Sequence, residues 1–87
     1  MYRVFVDVDA AKSLQTFRKS DRELIFRFLD LLANNPFRRG ELQISDESGH
    51  TIEIQRVGSF WIWFWSDHAV KQVKILAVER RSRVASR

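Results

Sequence analysis

The sequence predicts an α+β fold: an N-terminal strand and two-helix hairpin packed on a curved, mostly antiparallel sheet. Three observations predict it. Two stretches with helical periodicity come early, between about residues 10 and 34. Short alternating segments fill the rest of the chain, separated by turn residues. Segregation of helices from strands is the mark of the α+β class. The third observation is Ser59-Phe60-Trp61-Ile62-Trp63-Phe64-Trp65-Ser66-Asp67, which holds all three tryptophans at alternate positions. A strand sends successive side chains to opposite faces, so the tryptophans share one face and Phe60, Ile62 and Phe64 the other. Both faces are apolar, which predicts a central strand covered on both sides. A large aromatic ring buries about 150–250 Å². At roughly 25 cal/mol per Å² that is about 4–6 kcal/mol gross per ring.

The elements follow in order. Tyr2, Val4, Val6 and Val8 alternate with Arg3, Phe5 and Asp7 and predict a first strand with one apolar face. Asp9 is placed to cap a helix from Ala10 to about Arg18, with Leu14 and Phe17 as its buried contacts. Ser20-Asp21-Arg22-Glu23 reads as a capping box. The stripe after it is Leu24, Ile25, Phe28, Leu31 and Leu32, widened by Phe26 and Leu29. Asn34-Asn35-Pro36 stops that helix, because a residue before proline avoids helical geometry. The two helices are expected to join near Lys19-Ser20.

Phe37-Arg38-Arg39-Gly40 is a basic loop, and Glu41 to Asp46 a half-exposed strand with Leu42 and Ile44 on one side. Glu47-Ser48-Gly49-His50 is a turn, with Gly49 free to take a positive φ. Thr51 to Val57 forms the next strand, and Gly58-Ser59 turns it into the aromatic strand. Asp67-His68-Ala69 turns again, and Val73 to Val78 closes the sheet. The expected organisation is one domain over residues 1–87 with a basic, flexible tail from about residue 82.

The chain has 87 residues and no cysteine, which excludes disulfide staples and thiolate metal sites. Acidic residues follow Met1-Tyr2-Arg3-Val4-Phe5-Val6 where a secretory leader would stay apolar, so a cytoplasmic location without membrane insertion is expected. The net charge of +4 suits an anionic partner, nucleic acid or acidic protein, and equally suits ordinary solubility. His50 and His68 stand apart with no third ligand type, so neither a metal nor any other cofactor is expected. The chain also lacks a phosphate-cradling glycine loop and a nucleophilic serine in an elbow.

The basic residues carry more information. Arg38 and Arg39 follow the helices, Arg56 lies beside the tryptophans, and Lys71, Lys74, Arg80 and Arg81 lie around the last strand. Antiparallel pairing can gather Arg56, Lys74 and Arg80 on one sheet face. Such a face with aromatics would bind RNA through phosphates and stacking, and the other reading is a solvated face of scattered charges. His50 and Glu53 are the acid–base candidates, with Arg56, Arg80 and Arg81 to stabilise a phosphorane. The tryptophans themselves are expected in the core rather than as a stacking platform.

The order of elements, Leu31-Leu32-Ala33-Asn34-Asn35-Pro36, Ile54-Gln55-Arg56-Val57-Gly58-Ser59-Phe60, the aromatic strand, Asp67 and Glu79-Arg80-Arg81 together resemble the RelE/ParE superfamily of toxin–antitoxin modules. The resemblance implies a small sheet with two N-terminal helices and an antitoxin, from an adjacent gene, that wraps it. It also implies action either as a ribosome-dependent mRNA endonuclease or as a DNA gyrase inhibitor. Arg56 matches a basic position of the family. Two other arginine positions are held here by Ile54 and Trp61, and the family's terminal tyrosine or histidine is replaced by Arg80, Arg81 and Arg83. The leading expectation is therefore a RelE-like toxin that inhibits translation by binding or cleaving ribosome-associated mRNA. The alternative is a non-catalytic module, either a gyrase inhibitor or a chain that only binds its antitoxin. A third reading is a sheet protein that forms a homodimer through its face.

Overall fold

A computed structural model of the chain describes residues 1–81, so the tail expected from about residue 82 lies outside the described residues. The elements are β1 (Arg3–Val6), α1 (Val8–Gln15), α2 (Lys19–Asn34), β2 (Leu42–Ser45), β3 (Thr51–Val57), β4 (Phe60–Asp67) and β5 (Gln72–Arg80). They form one five-stranded sheet in the order β1-β5-β4-β3-β2. Strands β2 to β5 pair antiparallel, and β1 lies parallel to β5. The fold class and the mostly antiparallel sheet are as the sequence predicts, and the aromatic strand β4 is central.

Both helices start earlier than their sequence signals suggest. Asp7, not Asp9, occupies the N-cap of α1 and makes no side-chain cap bond. Asp9 instead lies in the first turn, where a negative charge opposes the helix dipole's positive end. The capping box at Ser20 does not form: α2 begins at Lys19, with Arg18 as its N-cap and no side-chain cap. The hairpin joint falls at Thr16-Phe17-Arg18, where the Phe17 ring packs 4.5 Å from Phe60 and α2 starts two residues ahead of the box.

Helix α2 buries Ile25, Phe28, Leu29, Leu32 and Ala33. Its stripe is rotated from the predicted one, leaving Phe26 and Leu31 about half exposed. Strand β1 is shorter than predicted, because Val8 enters α1 and is exposed. The core lies between the helices and one sheet face. Ala10, Leu14, Ile25, Phe28, Leu29 and Leu32 meet Val57, Phe60, Ile62, Phe64, Val73, Ile75 and Val78. Gly58 takes φ +58° in the β3–β4 turn, as that turn requires, and Gly49 takes φ +87° in the β2–β3 turn.

Candidate functional site

Strand β4 has two unlike faces. Phe60, Ile62 and Phe64 are fully buried under the helices. Trp61, Trp63 and Trp65 are only half-buried, on a face that no helix covers. The expectation of a strand covered on both sides, with the tryptophans in the core, is therefore corrected. The physical reason is that both helices precede the sheet's main meander and pack together on one side. The tryptophans shield one another and the buried Ile52 and Ile54 instead of entering a second core. Register places Leu42, Ile44, Phe5, Lys74 and Arg56 on the same open face. Leu42, Ile44 and Phe5 are substantially exposed there.

A bulge decides which residues of β5 reach this face. Trp63 pairs with Ala77, but Phe64 pairs with Ile75, so Leu76 is the extra residue. An inserted residue reverses the facing of what precedes it. Val73 and Ile75 consequently enter the core together with Val78 on the far side of the bulge, and Lys74 emerges opposite Trp65. Strict alternation from Val78 would have driven Lys74 into the core.

Cations attend the tryptophans at both ends of the open face. At one end, the Arg56 and Arg81 guanidinium carbons each lie 5.9 Å from the Trp61 ring centroid. Arg56 also approaches Glu41 at 3.5 Å, and Arg81 donates to the Gly58 carbonyl at 3.3 Å. At the other end, the His50 imidazole stacks on Trp65 at 4.2 Å, with Lys74 Nζ 5.2 Å from the same ring. Lys74 lies 3.7 Å from Asp67. Exposed pairs of this kind contribute about 0–1 kcal/mol, so the side chains are free to re-pair. Between the two ends, Trp63 Nε1 is buried and has no partner among the described residues.

His50 Nδ1 lies 3.2 Å from Asp46 Oδ2. The other oxygen of that carboxylate accepts from the backbone amides of His50 (2.8 Å) and Ser48 (2.9 Å). These bonds, the amide of His50 first, hold the Asp46 carboxyl below its ordinary range. The aspartate was not singled out from sequence. Its signal is an acid and a histidine bracketing one glycine turn, which folds them together.

The remaining candidates separate. Glu53 pairs in register with Phe64, so it is on the helix-covered side, 8% exposed. Its carboxylate accepts from Arg39 Nε (3.0 Å), the Gly40 amide (2.7 Å) and Gln43 Nε2 (2.9 Å). That arrangement ties the loop after α2 to the sheet and leaves Glu53 and Arg39 away from the tryptophans. Arg38 lies over Phe28. Arg80 pairs with Phe60 and sits over Phe60 and Phe17, so it is on the helix side and does not join Arg56 and Lys74. Lys71, with φ 57°, is in the β4–β5 turn. His68 forms a separate group, 2.8 Å from the Tyr2 hydroxyl and stacked on Phe37 at 4.4 Å. Among the described residues no group of three His, Asp or Glu side chains is disposed to hold a metal, and no helix is long and apolar enough to cross a membrane.

No family model matches the sequence, and no curated protein matches it. Solved structures do match the fold. The archaeal RelE–RelB complex from Pyrococcus horikoshii is similar at 23% identity and TM-score 0.79, over 95% of this chain and 98% of the other. The toxin–antitoxin complex RelBE2 from Mycobacterium tuberculosis matches at 22% identity and TM-score 0.76, over 92% and 98%. The intact E. coli RelBE toxin–antitoxin complex matches at 17% identity and TM-score 0.77, over 95% and 100%. The chain thus has a RelE-like fold along nearly its whole length, at the sequence distance its degenerate motifs suggest.

Proposed function

We propose that the chain is the toxin of a toxin–antitoxin module and that it blocks translation by holding ribosome-associated mRNA against the open sheet face. The RelE-like fold supports the first part, and three of the similar structures are complexes of a toxin with its antitoxin. The observation that carries the second part is the open face of half-buried tryptophans flanked by Arg56, Lys74, Arg81 and His50. An anionic strand with stackable bases is the chemistry such a face accepts. Its protein partner is an antitoxin encoded by the adjacent gene.

Holding is better supported than cutting. Cleavage by a 2′-hydroxyl needs a base, an acid and cationic stabilisation around one phosphodiester. Here the Asp46–His50 couple attends Trp65, while Arg56 and Arg81 attend Trp61, four strand positions away or about 13 Å. Only Lys74 accompanies the histidine. This separation also suits a second reading, a non-catalytic module that either inhibits DNA gyrase or only binds its antitoxin.

Induced expression with and without the adjacent gene tests the proposal. Growth arrest with halted protein synthesis, relieved by the neighbouring gene product, is expected. Unimpaired growth and synthesis would overturn it. Arrest with gyrase inhibited and translation intact would select the second reading.

A further inference from the structure

We infer that the chain pairs with a second copy of itself through the outer edge of β1, antiparallel about Phe5, so that two five-stranded sheets join edge to edge rather than face to face.

Strand β1 has β5 on one side and no strand on the other. Such an edge is a template for another chain, and β1 has neither a proline nor a bulge to blunt it. Its hydrogen bonding fixes which groups are available. The Arg3 amide donates to the Lys71 carbonyl (3.1 Å) and the Asp7 amide to the Ile75 carbonyl (2.9 Å), so Arg3, Phe5 and Asp7 direct their backbone groups at β5. Val4 and Val6, between them, direct theirs outward. The Tyr2 amide also points away from β5, but it donates to the Ala33 carbonyl at the end of α2 (3.1 Å). An added strand must therefore bond Val4 and Val6.

The residues of β1 are their own complement. Antiparallel pairing about Phe5 sets Val4 opposite the second copy's Val6, the hydrogen-bonded pair that the outward groups need. It sets Phe5 opposite the second copy's Phe5, and Arg3 opposite the second copy's Asp7, twice by symmetry. Arg3, Phe5 and Asp7 are all exposed. Among the described residues neither Arg3 nor Asp7 makes an ion pair within the chain. Sliding the register so that Val4 faces itself keeps the hydrogen bonding but sets Arg3 against Phe5 and loses both ion pairs.

The flank adds apolar surface. Beside β1, on the helix side, Val6, Ala11, Leu14 and Phe26 line an open groove, with Phe26 about half exposed. The pairing brings the second copy's Val4 alongside Val6 at this groove, and the two grooves face each other across the axis. One short strand and one groove per copy make a small interface, so a reversible dimer is expected.

The test is sedimentation of the purified full chain over a concentration series, where a monomer–dimer equilibrium is expected. Arg3→Asp sets aspartates opposite each other at two places and should weaken the dimer about tenfold. Adding Asp7→Arg exchanges the charges and should restore the wild-type affinity. Positions 3 and 7 are about 13 Å apart along one strand, so this recovery cannot come from within a chain. Because Asp7 is the N-cap of α1 and its replacement can disturb the fold, cross-linking forms the second arm. The chain has no cysteine. Phe5→Cys puts one thiol from each copy beside the axis, at a Cα separation of about 4.5 Å and within disulfide reach, and should give a linked dimer under mild oxidation. Gln43→Cys, on the opposite edge strand β2, should not. The inference is overturned by a chain that stays monomeric throughout, by a folded double variant no tighter than Arg3→Asp, or by linkage through Gln43→Cys and not through Phe5→Cys.

Discussion

One strand, β4, presents a buried face and an open face, and the two differ in what they ask of each residue. Beneath the helices, Phe60, Ile62 and Phe64 are 0% exposed and meet partners from five other elements. On the open side, the three tryptophans are half-buried and their companions are long cationic side chains and an imidazole. The first face secures the fold. The second leaves large apolar rings partly exposed, the kind of patch that marks an interaction surface. The gross 4–6 kcal/mol that full burial would give each tryptophan is consequently only partly realised.

The sharpest way to break the distinction is Ile75→Lys, which places a charge on the buried side of β5 opposite Phe64. An unpaired charge in the core exceeds what this chain can absorb, since a domain of its size is stable by about 5–13 kcal/mol. Loss of the cooperative denaturation transition is expected, whereas deleting Leu76 leaves Val73, Ile75 and Val78 inside and Lys74 outside by strict alternation and should preserve it. A milder comparison substitutes the two faces separately. Phe64→Ala should cost about 3–5 kcal/mol, and Trp63→Ala about 2 kcal/mol or less, both read from urea midpoints. Equal costs would mean that the open face is a second core.

The turn that sets the strand's entry is next in size. Gly58→Ala puts a Cβ on a backbone with φ +58°, 2.6 Å from the Leu24 side chain, and should cost about 1–2 kcal/mol. The smallest effect concerns Asp46, whose depressed carboxyl stabilises the β2–β3 turn above its unfolded value of 3.8. That contribution is lost as pH falls through the lower folded value. In Asp46→Asn the denaturation midpoint should therefore decline less steeply over about pH 5 to 2, with the difference confined to that acid limb.

Most of the fold could be read in the residues. Alternation located the strands, the glycines marked the turns, and Pro36 marked the end of α2. The start of α2 could not, because packing of Phe17 on Phe60 overrides a local capping signal worth about 1 kcal/mol. The candidate site was legible only in part. Arg56 and Lys74 do share a face, but Arg80 does not, and the Leu76 bulge that fixes the facing of Lys74 leaves no local trace in Val73-Lys74-Ile75-Leu76-Ala77-Val78. Which face of β4 the helices choose is likewise a tertiary matter. An apolar strand looks the same whether its second face is covered by protein or kept for a ligand.

The most direct measurement compares growth after induction of the wild-type chain and of a Trp61→Ala, Trp65→Ala double variant whose cooperative unfolding has first been confirmed. The open-face account predicts arrest by the wild type and normal growth with the double variant, both at equal expression. Arrest of equal strength by the folded double variant would contradict it.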